Sequence, residues 1–488
     1  MKFQNTYINL PSKFFTKAEA FVFNNQKLIA LNAELATDLG FDYKKYSNQD
    51  LAEIFSGQKK LLGSEFISLV YAAHQFGHFV PVLGDGRAML IGEVIAKNGK
   101  RYDIQLKGQG PTAYSRRGDG FSALGPVLRE FMLSEFMHTM KIPTTRALAA
   151  VASGEMVYRE NVMPGGVFTR VASSHIRIGT FQYFYANNDL ENLKILLKYS
   201  IDRHYPEILL ENNDVMEYPL LFLRKVIRAQ VDLVSSWMSI GFIHGVMNTD
   251  NMSISGETID YGPCAFMDYF DFQQVYSFID KQGRYSFINQ RQALGWNLAR
   301  LADTLLPIVM DSYNCDQDSA ALLLEKELAL IKEQFESSFM DKMALKLSLG
   351  SNTIDGVLKI KLISQFLETI HAKKIDFTLS FRELSQGLLD NDFTGGLRDF
   401  FVEWSNLLKS YGIDFKTAAH KMNLVNPAYI PRNHLVEKAI EKAIDNDYSM
   451  FILMNEIYKN PFEENSKYHI YSLPPTPDEE VANTFCGT

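Results

Sequence analysis

The sequence predicts an α+β chain in which a strand-rich N-terminal part precedes a larger helical part. Three observations carry this. Strand-and-turn texture runs from His78 to Lys107, punctuated by glycines and an Asn-Gly pair. One prominent amphipathic helix follows at Pro126. From about Asn187 onward the apolar residues recur mostly with helical spacing. With 46% hydrophobic and 22% charged residues over 488 positions, a chain disordered as its main state is excluded.

The elements follow in order. Up to Phe76 the chain reads as short helices, with apolar residues at helical spacing over 48–56 and 64–76. A short apolar run at 79–83 leads into Gly84-Asp85-Gly86, then a strand over 88–95, the Asn98-Gly99 hairpin signal, and a strand over 102–107. Together these read as an antiparallel meander. A glycine-dense segment spans 108–125. Pro126 then opens a helix to about Met140, with Leu128, Phe131, Met132 and Phe136 on one stripe. Further strands are expected near 144–151 and 166–171. Helices are expected over 190–199, 220–238, 291–305 and 320–336, interrupted by turn-rich sequence at 256–271. The tail from Tyr471 holds Pro474, Pro475 and Pro477 and reads as an extended arm. The expected division is an N-terminal extension (1–76), a strand-rich lobe (77–185), a helical lobe (186–425) and a C-terminal extension with a cysteine-bearing tail (426–488).

Acidic residues number 57 and basic residues 49, a net charge of −8, which makes a general nucleic-acid partner unexpected. Cys264, Cys315 and Cys486 form no CxxC pair and no zinc spacing, so a reducing compartment is expected. The N-terminal residues lack the apolar core of a signal peptide, and no run approaches the ~18 apolar residues of a membrane span. The expectation is a soluble, cytoplasmic monomer.

Four pieces carry chemistry. Gly84-Asp85-Gly86-Arg87 resembles a phosphate-approaching glycine turn, although Met89 stands where a third glycine is usual; alone it is an ordinary hairpin turn. Lys107 ends the third strand of the meander, where a kinase-like fold keeps a lysine that pairs with a glutamate on the next helix. Glu130 and Glu135 both lie on that helix, and Glu130, beside the apolar stripe, is preferred. His244 and Asn251 keep the seven-residue step of a kinase catalytic loop, but Val246 occupies the place of its catalytic aspartate, which leaves Asp250 as the nearby proton acceptor. Asp260-Tyr261-Gly262 follows nine residues after Asn251 and resembles the metal-binding D-F-G turn, with Asn251 as a second oxygen ligand. Their order predicts a protein-kinase-like bilobal fold with extensions at both ends. The displaced aspartate means either repositioned chemistry or a dead site, and the intact metal pair favours the former. A phosphoryl-transferring kinase and a non-catalytic nucleotide-binding scaffold are the rival readings.

The runs Leu106-Lys107-Gly108-Gln109-Gly110-Pro111-Thr112, Tyr114-Ser115-Arg116-Arg117-Gly118-Asp119-Gly120, Thr144-Thr145-Arg146-Ala147-Leu148, His244 to Asn251 and Asp260-Tyr261-Gly262-Pro263 resemble the selenoprotein O family. So do Asn426-Pro427, Arg432-Asn433 and a cysteine third from the C-terminus. The resemblance implies a pseudokinase fold that binds ATP inverted and transfers AMP to Ser, Thr or Tyr hydroxyls of proteins, releasing diphosphate. It implies Mg²⁺ or Mn²⁺ as cofactor, and UTP as a further donor among bacterial members. The family's nucleotide contacts fall on Gly84, Gly86, Arg87, Lys107, Asp119, Gly120, Arg170 and Arg177, with Glu130 orienting the lysine. Its proton acceptor falls on Asp250, and its metal ligands on Asn251 and Asp260. Arg170 and Arg177 would stand near two helical turns apart if the segment between them is helical. The family's redox role falls on Cys486. Cys264 is one possible disulfide partner, although relatives place that cysteine near Tyr276 or Ser277; a free tail thiol is the other reading.

Overall fold

The computed structural model describes residues 1–211, 214–351 and 353–484. It is α+β. Ten strands occupy its first part: β1 (Phe15–Lys17), β2 (Lys27–Leu31), β3 (Ile67–Leu69), β4 (Ala73–Gln75), β5 (His78–Val80), β6 (Ala88–Ile95), β7 (Arg101–Lys107), β8 (Ser122–Ala123), β9 (Arg146–Tyr158) and β10 (Val162–Ala172). Eight of them form one antiparallel sheet in the order β1-β3-β6-β7-β10-β9-β2, with β8 paired to β10. Three helices pack on this sheet, α1 (Ala33–Asp38), α2 (Asn48–Phe55) and α3 (Leu124–Thr139), and a fourth, α4 (Ile178–Ala186), packs on β4.

Strand alternation sorts the residues of the sheet between two faces. Ile104, Leu106, Val167 and Val171 look toward Leu35, Leu51 and Phe55 of α1 and α2, forming one core. Phe168 packs with Leu128 and Met132 of α3 on the other side. Lys107 and Gln105 share that α3-facing side, and Arg170 does too, because it stands opposite Gln105 in the β7–β10 register. The turn at Asn98-Gly99 closes the β6–β7 hairpin as expected, with Gly99 at φ 77°.

The first strand of the meander differs from the expectation. The strand that pairs with β6 is β3, from the segment 64–76 that reads as helical. Phe66-Ile67-Ser68-Leu69-Val70 is buried on both sides, and a short continuous apolar run carries no period that separates strand from helix. His78–Val80 belongs to a separate hairpin with β4, and a division at 76/77 cuts through it. The first 76 residues also supply β1 and β2, at the two edges of the sheet.

The helical part is built around Tyr218–Ser239, buried along most of its length and flanked by Gln290–Tyr313 and Ile331–Lys346. The helix expected over 320–336 is two, Gln317–Leu328 and Ile331–Lys346, and they pack most heavily on different neighbours. Helices Asn433–Ile444 and Ser449–Ile457 return to α3, where Arg129 donates to Asn433 (3.0 Å) and pairs with Glu437, and Phe131 meets Phe451. The tail is an arm, but a docked one: the Thr484 amide donates to the Tyr276 carbonyl (2.7 Å) and its hydroxyl to that of Pro263 (2.7 Å). Among the described residues, no helix is long and apolar enough to cross a membrane.

Candidate active site

A cleft of about 870 Å³ opens where the end of the β6–β7–β10 sheet and α3 meet the loop 246–251 and the turn Asp260-Tyr261-Gly262. Among the described residues, seven cations line it (Arg87, Lys107, Arg116, Arg117, Arg159, Arg170, Arg177) against five carboxylates (Asp85, Asp119, Glu130, Asp250, Asp260). In a chain of net charge −8 this is a local excess of positive charge, suited to a polyanion.

Lys107 sits where the sheet ends, opposite Ala88 and next to Arg87. Its ammonium pairs with Glu130 (2.7 Å) and Asp260 (2.6 Å). Arg170, 1% exposed, pairs with the same two carboxylates, 2.6 Å from Asp260, and donates to Gln105 (3.2 Å). The preference for Glu130 over Glu135 is met by this geometry, since Glu135 instead pairs with Arg146. Burial works against ionisation of Asp260, but Arg170, Lys107 and Arg177 together hold its carboxyl well below the usual range. Asp260 adopts a left-handed backbone (φ 62°), closed by the Gly262 amide on its carbonyl at 2.8 Å.

Arg177 is not joined to Arg170 by helix. The strand β10 ends at Ala172, and Arg177 is the N-cap of α4. Its guanidinium lies 4.5 Å over the Tyr71 ring, donates to the Asp250 carbonyl (3.1 Å) and stands 3.6 Å from Asp85 and 3.7 Å from Asp260. Most of the Arg170 fork is already committed to protein acceptors. Arg87, Arg116 and Arg117 make no ion pair among the described residues, and Arg177 keeps its Nε buried without a partner.

The loop 246–251 is pinned from behind by His244, whose Nε2 meets the Ile259 carbonyl (2.9 Å) and whose Nδ1 accepts from the Val246 amide (3.4 Å). That pattern fixes the neutral Nε2–H tautomer, and burial lowers the imidazole pKa in the same sense. Asn251 donates its amide to the Val246 carbonyl (2.9 Å), which leaves its Oδ1 for a ligand. From the front the β4–β5 hairpin clamps the loop: the His74 amide donates to Thr249 Oγ1 (2.7 Å), Gln75 Nε2 to Asp250 Oδ2 (3.3 Å) and the Phe76 amide to Asn248 Oδ1 (3.0 Å). Asp250 Oδ1 is buried without a partner. Burial pushes the Asp250 carboxyl up to about 6, with Arg177 and Gln75 pulling it back only in part.

The glycine turn differs from its expected role. The amides of Gly84, Asp85 and Gly86 are all used inside the protein, on the carbonyls of Tyr71, Leu69 and Gly84. Glycine is required there for packing: at Gly84 (φ 65°) a Cβ would overlap the Tyr114 ring, and at Gly86 it would stand 2.8 Å from the Tyr114 carbonyl. Gly120 is likewise pressed against Gly110. Asp119 is gripped by the Arg159 fork at 2.7 and 3.0 Å, a pairing that holds its carboxyl below the usual range. Arg159, Tyr71, Asp85 and Gln75 are site residues that sequence reasoning missed. Arg159 stands far from the recognisable motifs, Tyr71 and Gln75 fall in the misread segment 64–76, and Asp85 sits inside the glycine turn without a role of its own being read there. Cys264 is buried with a free thiol pushed up to about 12 by that burial. Cys486 lies outside the described residues.

A divalent cation fits the donors present. Asp260 is ionised and Asn251 offers a free oxygen, both hard ligands. Among the described residues no cluster of three His, Cys, Asp or Glu could hold an ion alone. With three cations already around Asp260, the ion is expected to enter with phosphate oxygens rather than before them.

A family model described as protein adenylyltransferase SelO matches residues 1–458. The protein nucleotidyltransferase YdiU of Rhizobium johnstonii is 47% identical over 503 aligned positions, covering 100% of this chain and 97% of that relative. Proteins of the same name from Maridesulfovibrio salexigens and Rhodopseudomonas palustris are each 46% identical over 497 positions, again across the whole chain and 98% and 99% of their own lengths.

Proposed function

The chain belongs to the protein adenylyltransferase SelO family and is a protein nucleotidyltransferase, and we propose that it moves AMP from ATP, and UMP from UTP, onto Ser, Thr or Tyr hydroxyls of protein substrates. The observation that carries this reading is the meeting of Lys107, Glu130, Arg170 and Asp260 with Asp250 in one cationic cleft. A strand lysine, its helix glutamate, a His-to-Asn loop and an Asp-Tyr-Gly turn occur there in the order of a kinase-like fold. We therefore read 77–185, together with the strands that 1–76 adds to its sheet, and 186–425 as its two lobes, with 426–488 as a C-terminal extension.

In the transfer, the acceptor hydroxyl attacks the α-phosphorus, its O–H proton passes to Asp250, and the α–β P–O bond breaks with its electron pair leaving on diphosphate. Val246 cannot take that proton, so the displaced Asp250 does. Its carboxyl, pushed up to about 6, is mostly ionised at neutral pH yet basic enough to accept. Arg87, Lys107 and Arg177 support the departing phosphates, and Glu130 and Arg170 hold Lys107 and Asp260 in place. Mg²⁺ or Mn²⁺ held by Asn251 and Asp260 would supply neutralisation of charge on the reacting phosphate and the leaving group.

The test is incubation of the full chain and a protein acceptor with ATP labelled at the α- or the γ-position, read by intact mass. Label from the α-position and an AMP adduct, both lost with chelator and restored by Mg²⁺ or Mn²⁺, are expected. Transfer of γ-label alone would make the enzyme a kinase and end the reading.

A further inference from the structure

Beside the cleft, sharing Phe76 and Ile279 with its wall, lies a second hollow of about 570 Å³. Trp296, on helix Gln290–Tyr313, lines it, and the Arg284 guanidinium lies 4.8 Å from the Trp296 ring centre. Gly77, in the turn of the β4–β5 hairpin, faces the same guanidinium, and a Cβ there would meet Cζ at an ordinary contact distance of 3.5 Å. Arg284 thus lies between a ring and a backbone turn, which removes part of the ordering cost of binding a planar anion.

Its charge is unspent. Arg284 Nε reaches the Tyr285 hydroxyl at 3.4 Å, and among the described residues no carboxylate pairs with it. The neighbouring acid, Asp280, accepts from the Arg284 and Tyr285 backbone amides at 2.9 and 2.8 Å and is occupied by them. Lys281, exposed at the rim, adds a second cation, 3.8 Å over the Phe278 ring. The hollow also connects to the catalytic loop: the Tyr285 hydroxyl donates to Asn248 Oδ1 (2.9 Å), two residues before Asp250. It therefore begins on the side of the cleft where an acceptor hydroxyl must stand to reach Asp250. Ile279, 59% exposed at the junction, offers an apolar contact to a residue beside that acceptor.

We propose that this hollow holds the extended polypeptide of the protein substrate on one side of the accepting hydroxyl, with an acidic side chain of that polypeptide paired to Arg284 and Lys281. The enzyme then selects hydroxyls that carry a carboxylate a few residues away. Charge complementarity and continuity with the cleft assign this occupant. The assignment rests on the reading of the cleft as a protein nucleotidylation site.

The test gives the full chain α-labelled ATP and short extended peptides with one serine and one glutamate, the glutamate walked through the flanking positions, beside glutamine counterparts. In one register glutamate raises kcat/KM about tenfold, mainly through KM. Arg284→Gln erases that preference, and Lys281→Glu moves it toward peptides with lysine in the same register. The rise in Tm that ATP causes stays unchanged in both variants, which shows an intact nucleotide site. Equal use of glutamate and glutamine peptides in every register, or a preference that survives Arg284→Gln, overturns the proposal. A change of oligomeric state in Arg284→Gln without any peptide preference assigns the hollow to a second copy of the chain and also overturns it. Peptide binding by anisotropy, without ATP, separates the two readings. Arg284-dependent capture of the glutamate peptide with no label transferred removes nucleotidylation and keeps the docking site. Transfer with no dependence on Arg284 does the reverse.

Discussion

The loop that ends at Asn251 and the turn that begins at Asp260 bring two aspartates into one cleft and treat them in opposite ways. Asp260 faces Lys107, Arg170 and Arg177, which overcome its burial and hold it well below the usual carboxylate range. Asp250 receives one long hydrogen bond from Gln75 on Oδ2, keeps Oδ1 buried and unpartnered, and is pushed up to about 6. Ten positions apart, the same side chain is held as a permanent anion in one setting and kept close to its protonated form in the other. Environments that drive two carboxyl groups apart in this way suit them to different work, and the proposed mechanism gives fixed charge to Asp260 and proton transfer to Asp250.

The comparison breaks first at Asp260. Asp260→Ala should lower AMP transfer by about 10³-fold or more, because the cation cluster loses the anion that organises it. Lys107 and Arg170 would then crowd Glu130 alone, at a stability cost of about 3 kcal/mol in denaturant unfolding. Transfer within tenfold of the parent would remove Asp260 from the chemistry.

Asp250→Asn sharpens the contrast. The turnover rate should fall by about 10²–10⁴ while the ATP-dependent rise in Tm persists. Stability should move the other way. The folded carboxyl, at about 6, lies above its unfolded value of 3.8, so the stability it contributes is fully present below pH 3.8 and lost as the pH rises through 6. An asparagine never ionises, so the variant should match the parent near pH 4 and exceed it by about 1–3 kcal/mol at pH 8. Lower stability at pH 8 would show that the site does not disfavour the anion. In the parent, turnover should rise with pH through about 6 and level off above it, with no second limb from Asp260 in that range.

How much of this was legible in the sequence depends on how local each signal is. Lys107 and Glu130 were readable because a strand end and the next helix are close in sequence and their order is distinctive. That Asn251 and Asp260 meet in one cleft was readable from spacing alone. The surroundings of the glycine turn were not readable, because its amides are consumed by Tyr71 and Leu69 and its packing is set by Tyr114, partners that no local pattern announces. Arg159 lies between β9 and β10, far along the chain from the Asp119 it grips. The β4–β5 hairpin was lost because the apolar run before it fits two periods. With it went the clamp on the loop 246–251, and so the reason why one oxygen of Asp250 is held and the other free.

That clamp gives the smallest effect and the most discriminating one. Gln75 donates to Asp250 Oδ2 and favours its ionised form, so Gln75→Leu should raise the Asp250 pKa further. A bond of this kind is worth about 0.5–1.5 kcal/mol, which moves the acid limb of the turnover profile up by about half a unit to one unit. Turnover should then fall several-fold near pH 6 and recover fully by about pH 8.5, since a group that is ionised either way no longer senses the lost donor. Gln75→Glu replaces the donor with a like charge and should move the limb further in the same direction. A purely structural role for the hairpin predicts something else: an equal loss at every pH in both variants. Parallel, unshifted profiles would therefore take Gln75 out of the proton-transfer machinery and leave the elevated state of Asp250 to burial alone.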